Sequence, residues 1–185
     1  MSGPFFSALA ERFRELEQPL NALDAATGDG DHGAAMRRGL EAAAAAEPGT
    51  AAQAFRGAAG GASGTLFGAL IGGLEAALAG DRDLPTALAH AAGHIAKLGM
   101  AKRGDKTMLD ALIPAAEAAR AVPSGAAAQA AAEAAGDGAA ATAGMVAKRG
   151  RARYVENGGV GHGDAGARSV AEMLAELARF TTADR

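Results

Sequence analysis

The sequence predicts an all-α bundle of eight antiparallel helices running up and down, with the working groups on the loops at one end. Three observations carry this. Alanine dominates the 185 residues while Val and Ile together number eight, a bias that opposes strands and favours helices. Apolar residues recur at spacings of three and four in segment after segment, the period of a helix face. Polar motifs fall in every second connection between those segments, so an up-and-down course gathers them at one end.

Leu9, Phe13, Leu16, Leu20 and Leu23 step by four, three, four and three, which predicts a first helix over 4–22. The second covers 32–46 and the third 50–60, with Pro48-Gly49-Thr50 ending one and capping the next. Leu66, Leu70, Leu74 and Leu78 stripe the fourth, 63–79. Asp83 before Leu84-Pro85 is a helix start signal, and Leu84, Leu88, Ala91, Ile95 and Leu98 share one face of the fifth, 84–98. The sixth, 106–121, contains Pro114, which is expected to kink it. Pro123-Ser124-Gly125 separates it from the seventh, 125–147. Val170, Met173, Leu174 and Leu177 stripe the eighth, 166–180. Between 150 and 166 no apolar period survives, and a loop that long inside a compact fold is usually functional or disordered. Short connections favour antiparallel neighbours. Motifs at 24–33, 61–64, 99–107 and 150–166 therefore share one end of the bundle.

The length suits one domain over 1–185. A net charge of −3 gives no reason to expect nucleic acid or an anionic membrane as a partner. The chain has no cysteine, which rules out disulfides and thiolate chemistry. Glu11, Arg12 and Arg14 follow Phe5 and Phe6 too closely for a signal peptide, and the apolar stretch 62–74 is too short and glycine-rich to span a bilayer. A cytoplasmic protein is expected.

Asp24, Asp29 and Asp31 fall within eight residues, with Gly28 and Gly30 among them and His32-Gly33 directly after. Three anions this close repel unless something positive neutralises them. Carboxylate oxygens suit Mg²⁺ or Ca²⁺, and Mg²⁺ takes few protein ligands, completing its shell with water and phosphate oxygens. The segment reads as a metal cup for a phosphorylated ligand; the alternative is a solvated acidic loop. Residues 28–33 also match G-x-G-x-x-G, but the upstream period is helical, and a dinucleotide site requires a strand there. Gly99 to Thr107 has the Walker length, yet Asp105 stands between the glycine and the lysine.

Ser63, in Gly60-Gly61-Ala62-Ser63-Gly64, is a natural N-cap, and a helix start there also suits phosphate. Asp105 or Thr107 can cap the sixth helix. Lys106 can pair with Asp105, Asp110 or a cup carboxylate, or touch phosphate. Met108 suits a purine face or the core. Lys148, Arg149, Arg151 and Arg153 form the one dense basic run, beside a glycine loop where guanidinium groups match phosphate. Asp164 can cap the last helix. His90 and His94 have a zinc-compatible i, i+4 spacing but no third ligand nearby, and are read as surface or core.

Leu23-Asp24, Gly28-Asp29-Gly30-Asp31-His32-Gly33 through Gly39, Gly60-Gly61-Ala62-Ser63-Gly64 through Gly68, Gly104-Asp105-Lys106-Thr107-Met108 to Asp110, Lys148-Arg149-Gly150-Arg151 to Tyr154, and Gly161-His162-Gly163-Asp164-Ala165-Gly166 to Ser169 run in order over nearly the whole chain. Together they resemble the nucleotide-binding L subunit of dihydroxyacetone kinase. The resemblance implies a closed barrel of eight antiparallel helices whose rim binds ADP or ATP through two Mg²⁺ ions. It places the metal on Asp24, Asp29 and Asp31. Nucleotide contacts fall at His32, Gly33, Ala34, Ala35, Ala62, Ser63, Gly99, Met108, Arg151, Asp164, Ala165 and Gly166, with Arg151 also stabilising phosphate. The implied partners are a K subunit holding the triose on a histidine and, by one route of recharging ADP, a phosphohistidine carrier protein. Two departures stand out: the family usually has asparagine at Ala35, and Asp-Pro-Gly where this chain has Asp164-Ala165-Gly166.

The expected function is thus the L subunit of a dihydroxyacetone kinase or a close ketose kinase, with the nucleotide domain of a ketotetrose kinase as an alternative. A fatty-acid kinase domain is the nearest enzyme rival; His32, where that family usually has threonine, and the chain's length argue against it. A Mg-ADP-bearing regulatory module that binds a transcription factor is the rival from another class.

Overall fold

Leu9, Phe13, Leu16 and Leu20 are buried along one face of the first helix, as their spacing requires, and the same logic repeats around the molecule. The computed structural model describes residues 2–183. Among them are eight α-helices: α1 (Ser2–Ala25), α2 (His32–Ala44), α3 (Ala51–Ala59), α4 (Gly61–Ala79), α5 (Leu84–Gly99), α6 (Leu109–Arg120), α7 (Ala127–Ala141) and α8 (Ala165–Ala183). No strand occurs among the described residues. Each helix packs on its neighbours in the chain, and α1 closes the ring against α8. Arg12 reinforces that closure through Glu172, at 3.0 Å. The expected all-helical ring is observed.

Small residues set how closely the helices approach. A Cβ at Gly33 would collide with the Glu17 carbonyl oxygen of α1, and one at Gly39 with the Phe55 ring of α3. Pro114 leaves α6 continuous. Because proline has no N–H, the Asp110 carbonyl lacks its usual helical donor, and Gly138 of α7 lies directly against that oxygen.

Several boundaries differ from the sequence reading, each for a local reason. α1 continues to Ala25 and so carries Asp24 on its last turn. α6 begins at Leu109 because Lys106 adopts a left-handed φ of 62°, outside helical geometry. α7 stops at Ala141, where buried Thr142 opens a short 3₁₀ turn over Thr142–Gly144. Asp83 caps α5 as expected, accepting from the Thr86 amide at 2.9 Å. The Thr50 side chain does not cap α3; it turns back to the Glu47 carbonyl. Buried Glu75 of α4 does so instead, with Oε1 accepting from the amides of Gly49 (2.8 Å) and Ala51 (3.2 Å). Leu98, expected on the buried face of α5, is 46% exposed at the helix end.

The apolar run in α4 is longer than its 62–74 portion suggested. By length and composition this helix alone, among the described residues, could cross a membrane, with a mean hydropathy of 1.4. Here it packs between α3 and α5, burying Leu70, Ile71 and Leu74 completely.

Candidate functional site

The connections α1/α2, α3/α4, α5/α6 and α7/α8 do meet at one end, around a cavity of about 580 Å³. The acidic loop forms one lip. Asp24 is fixed first: its Oδ2 accepts from the amides of Gly30 (2.9 Å) and Asp31 (3.2 Å). Gly28 lies so close to the Asp24 carboxylate that a Cβ there would overlap it. Asp24, Asp29 and Asp31 each offer an oxygen, and these three lie within 4.8 Å of one another. Arg151 reaches across from the opposite loop, hydrogen-bonding Asp29 and lying 4.0 Å from Asp31 Oδ1.

The electrostatics follow from crowding. Burial opposes ionisation of Asp29, but the Arg151 charge and hydrogen bonds from its neighbours outweigh it and hold that carboxyl below the usual range. Asp31 goes the other way: burial and the adjacent Asp29 carboxylate push it up. Such a trio favours any cation that can reach all three oxygens.

His32 opens α2 and is buried. Its Nε2 lies 2.8 Å from Ser169 Oγ of α8, and its ring packs 5.6 Å from that of Phe67. Burial lowers its pKa to about 4, reinforced by Arg151 and opposed by Asp24, so the imidazole is neutral near pH 7. At the α3/α4 connection Gly60 (φ 68°) and Gly61 (φ 54°) turn the chain into α4. Ser63 is not the N-cap; Gly60 holds that position and no side chain caps the helix. The first-turn residues Gly61, Ala62 and Ser63 line the cavity, where uncapped amides favour an anion.

The other lip is the α7/α8 connection, residues 142–164, and it is tightly tied. Thr142 Oγ1 donates to the Ala139 carbonyl and accepts from the Asp164 amide at 2.9 Å. Asp164 caps α8 as expected, with Oδ1 accepting from the Ala167 amide at 2.7 Å. Burial, with Asp110 adding to it, raises its carboxyl to about 6 against the pull of the Ala167 amide and Lys106. Asp110, in the first turn of α6, accepts from the amides of Gly104 and Thr107 and shapes the α5/α6 connection. Lys106 hydrogen-bonds no carboxylate among the described residues; its Nζ donates to three backbone carbonyls. Arg149 donates to the Met100 carbonyl at 2.6 Å, and Arg153 stacks over the Tyr154 ring at 4.5 Å.

Most residues expected at the site are thus brought together. Asp24, Asp31, His32, Ala35, Ala62 and Ser63 line the cavity from one side. Gly99, Met108, Arg151, Asp164, Ala165 and Gly166 line it from the other. Asp29 stands at the mouth, bonded to Arg151. Gly33 and Ala34 do not reach the cavity; Gly33 packs on Glu17 and the Ala34 amide donates to Asn21 Oδ1, because the start of α2 is pressed onto α1. His90 and His94 are exposed on α5. Thr27, Thr142 and Ser169 are buried polar groups around the site that periodicity and spacing did not single out.

An all-helical ring with a charged, cavity-bearing end is the class that fold and geometry define. Comparison with known proteins narrows it: the DAK2 domain matches residues 26–179, and the chain belongs to that family. It is 34% identical to the ADP-binding subunit DhaL of the PEP-dependent dihydroxyacetone kinase of Escherichia coli (strain K12), over 86% of each chain. It is 40% identical to a D-erythrulose kinase of Mycolicibacterium smegmatis over 96% of this chain, but spans only 34% of that enzyme. A crystal structure of the dihydroxyacetone kinase from C. freundii in complex with AMP-PNP and Mg²⁺ superposes with a TM-score of 0.73 at 27% identity, covering 96% of this chain and 33% of that one. The chain thus spans about a third of the length of the erythrulose kinases it matches.

Proposed function

We infer that this chain is the nucleotide-binding part of a dihydroxyacetone or close ketose kinase, holding Mg-ADP or Mg-ATP at the open end of the ring. The observation that carries the reading is the convergence of Asp24, Asp29 and Asp31 within 4.8 Å, faced by Arg151. Three carboxylates with one oxygen each, the first pinned by two amides, fit a hard divalent cation that keeps positions for phosphate. The relatives' names support the ligand: one is an ADP-binding subunit and another was crystallised with AMP-PNP and Mg²⁺.

Magnesium, two ions in this reading, would neutralise phosphate charge and so favour displacement at the terminal phosphorus. The chain's own residues do the positioning. Uncapped amides at Ala62 and Ser63 receive phosphate oxygens. Apolar groups deeper in the cavity, Phe67, Ile95 and Met108, offer a face for the base. Arg151, on the far lip, moves its contacts from Asp29 toward phosphate and supplies charge where the transferring group sits. Neutral His32, held by Ser169, adds no net charge to the pocket.

The acceptor is assigned to a K-type partner that closes over the mouth, supported by the subunit names of the relatives. Exposed large apolar side chains among the described residues support such a partner. Leu98, Met100, Val146, Tyr154 and Val160 all lie on the α5/α6 and α7/α8 side of the opening, interspersed with Lys148, Arg149 and Arg153. The acceptor is dihydroxyacetone or, favoured by the similarity to erythrulose kinases, a four-carbon ketose. A phosphohistidine carrier that recharges ADP in place is the proposed donor, supported by the PEP-dependent and PTS-dependent names of the subunit relatives.

The test is reconstitution. Purified alone, the chain should bind Mg-ADP and leave dihydroxyacetone and erythrulose unphosphorylated; adding a K-type subunit should start turnover. Robust turnover by the chain alone, free of contaminating kinase, would overturn the division of labour.

A further inference from the structure

Lys106 is the structure's most unusual lysine. It is 1% exposed and its backbone sits at φ 62°; among the described residues no carboxylate hydrogen-bonds its ammonium, and Asp164 acts on it only through its charge. Instead its three N–H groups go to three carbonyl oxygens: Gly159 at 2.6 Å, His162 at 2.7 Å and Met145 at 3.1 Å. Those carbonyls bracket the segment that carries Lys148, Arg149, Arg151 and Arg153. One ammonium therefore gathers both ends of a surface loop to a single point, from a residue on the neighbouring connection.

We propose that Lys106 is a positioning residue for the phosphate end of the site, acting through this three-carbonyl tripod to hold Arg151 over the cavity. Backbone bonds also hold the loop, with the Ala147 amide donating to the Gly158 carbonyl (3.0 Å) and the Lys148 amide to that of Asp105 (3.0 Å). These tie single points, whereas the ammonium ties three. Buried ammonium groups are costly unless every N–H is satisfied, and a left-handed lysine is strained. Both costs are tolerated where the surrounding structure over-determines the residue, which is common at functional sites. A leucine could fill the same volume, but it could not gather three oxygens.

The proposal rests on the nucleotide-site reading for its effect on binding, but its effect on the loop is independent of any ligand. Two variants separate ammonium from backbone: Lys106→Gly relieves the left-handed strain, and Lys106→Met keeps the aliphatic stem. The readouts are the calorimetric Kd for Mg-ADP and the rate of trypsin cleavage after Arg149, Arg151 and Arg153. Both variants should keep the wild-type helical signal, weaken Mg-ADP at least tenfold and speed cleavage at least tenfold. In an Arg151→Ala background, Lys106→Gly should weaken binding less than threefold further, because residues acting through one another are not additive. Full additivity would overturn the positioning role, as would a loop that stays protected. Loss of the folded state in both variants would overturn it too, assigning the tripod to global stability. A wild-type chain that ignores Mg-ADP would sink the functional reading, while the cleavage rates would still decide whether Lys106 holds the loop.

Discussion

Arg151 sets its guanidinium on the carboxylate of Asp29, a residue 122 positions earlier, so the two lips of the cavity meet through one charged pair. The pair is exposed on both sides and contributes little to stability. Its significance is functional. In the proposed reading Arg151, held beside Asp29 and Asp31, offsets their charge until metal takes its place at the carboxylates and phosphate receives the guanidinium.

Arg151→Ala should therefore weaken Mg-ADP or slow phosphoryl transfer by tenfold or more. Arg149→Ala should have a smaller effect, although Arg149 is not merely solvated: it holds the Met100 carbonyl at 2.6 Å. Calorimetry of both variants compares them directly. Equal, small losses would return the basic run to a solvated surface.

The acid limb of stability offers a second test, in metal-free buffer. Folding lowers the His32 pKa from its ordinary 6.5 to about 4. The unfolded chain thus takes a proton first, and the native state loses stability as pH falls from 6.5 to 4, by about 3 kcal/mol. Asp164 has the opposite sign. Raised to about 6, it binds its proton first in the folded state, so stability grows as pH falls from 6 toward 4. The two nearly offset in the wild type. Relative to it, His32→Asn should gain stability across that window and Asp164→Asn should lose it, as read by urea unfolding at several pH values. Parallel profiles for all three proteins would refute both assignments.

Glu75 gives a prediction about the scaffold. It caps α3 from α4 through two amides, so Glu75→Ala should cost ~2 kcal/mol. For a chain of this size that lowers Tm by about 4–8 °C. Thr50→Val, at the nominal capping position, should cost less, because its hydroxyl bonds only the Glu47 carbonyl. A larger loss from the threonine change, measured by calorimetric melting, would contradict this.

Nucleotide retention is the fourth test. Ala35 is buried at the cavity wall where an asparagine would offer an amide, and Ala165 leaves the Asp164 turn less rigid than proline. One missing hydrogen bond is worth about 1 kcal/mol net. Bound ADP should therefore exchange with labelled ADP within minutes, and Ala35→Asn should slow the exchange. ADP that survives dialysis without exchanging would show that the nucleotide is locked in by other contacts.

The ring was legible because its signals are local: alanine content, stripes at helical spacing such as Leu66-Leu70-Leu74, and the Asp83 cap each act within one helix. The gathering of four loops at one end followed from alternation along the chain. What escaped was long-range. The Glu75 cap lies on the next helix, and nothing near Thr50 points to it. Lys106 looked available for carboxylate or phosphate; its three acceptors lie 39 to 56 residues away. Gly33 and Ala34 were placed at the ligand by motif position, yet packing of α2 on α1 turns them from the cavity.

The central claim is that the acidic cup binds nucleotide through a metal, and titration calorimetry of ADP tests it most directly. In Mg²⁺ or Mn²⁺ the chain should bind ADP. In excess EDTA, with three carboxylates facing the phosphates, binding should disappear, since unscreened like charges repel. Asp29→Asn or Asp31→Asn should weaken metal-dependent binding at least tenfold with the helical signal intact. Equal ADP affinity with and without the metal would contradict the account.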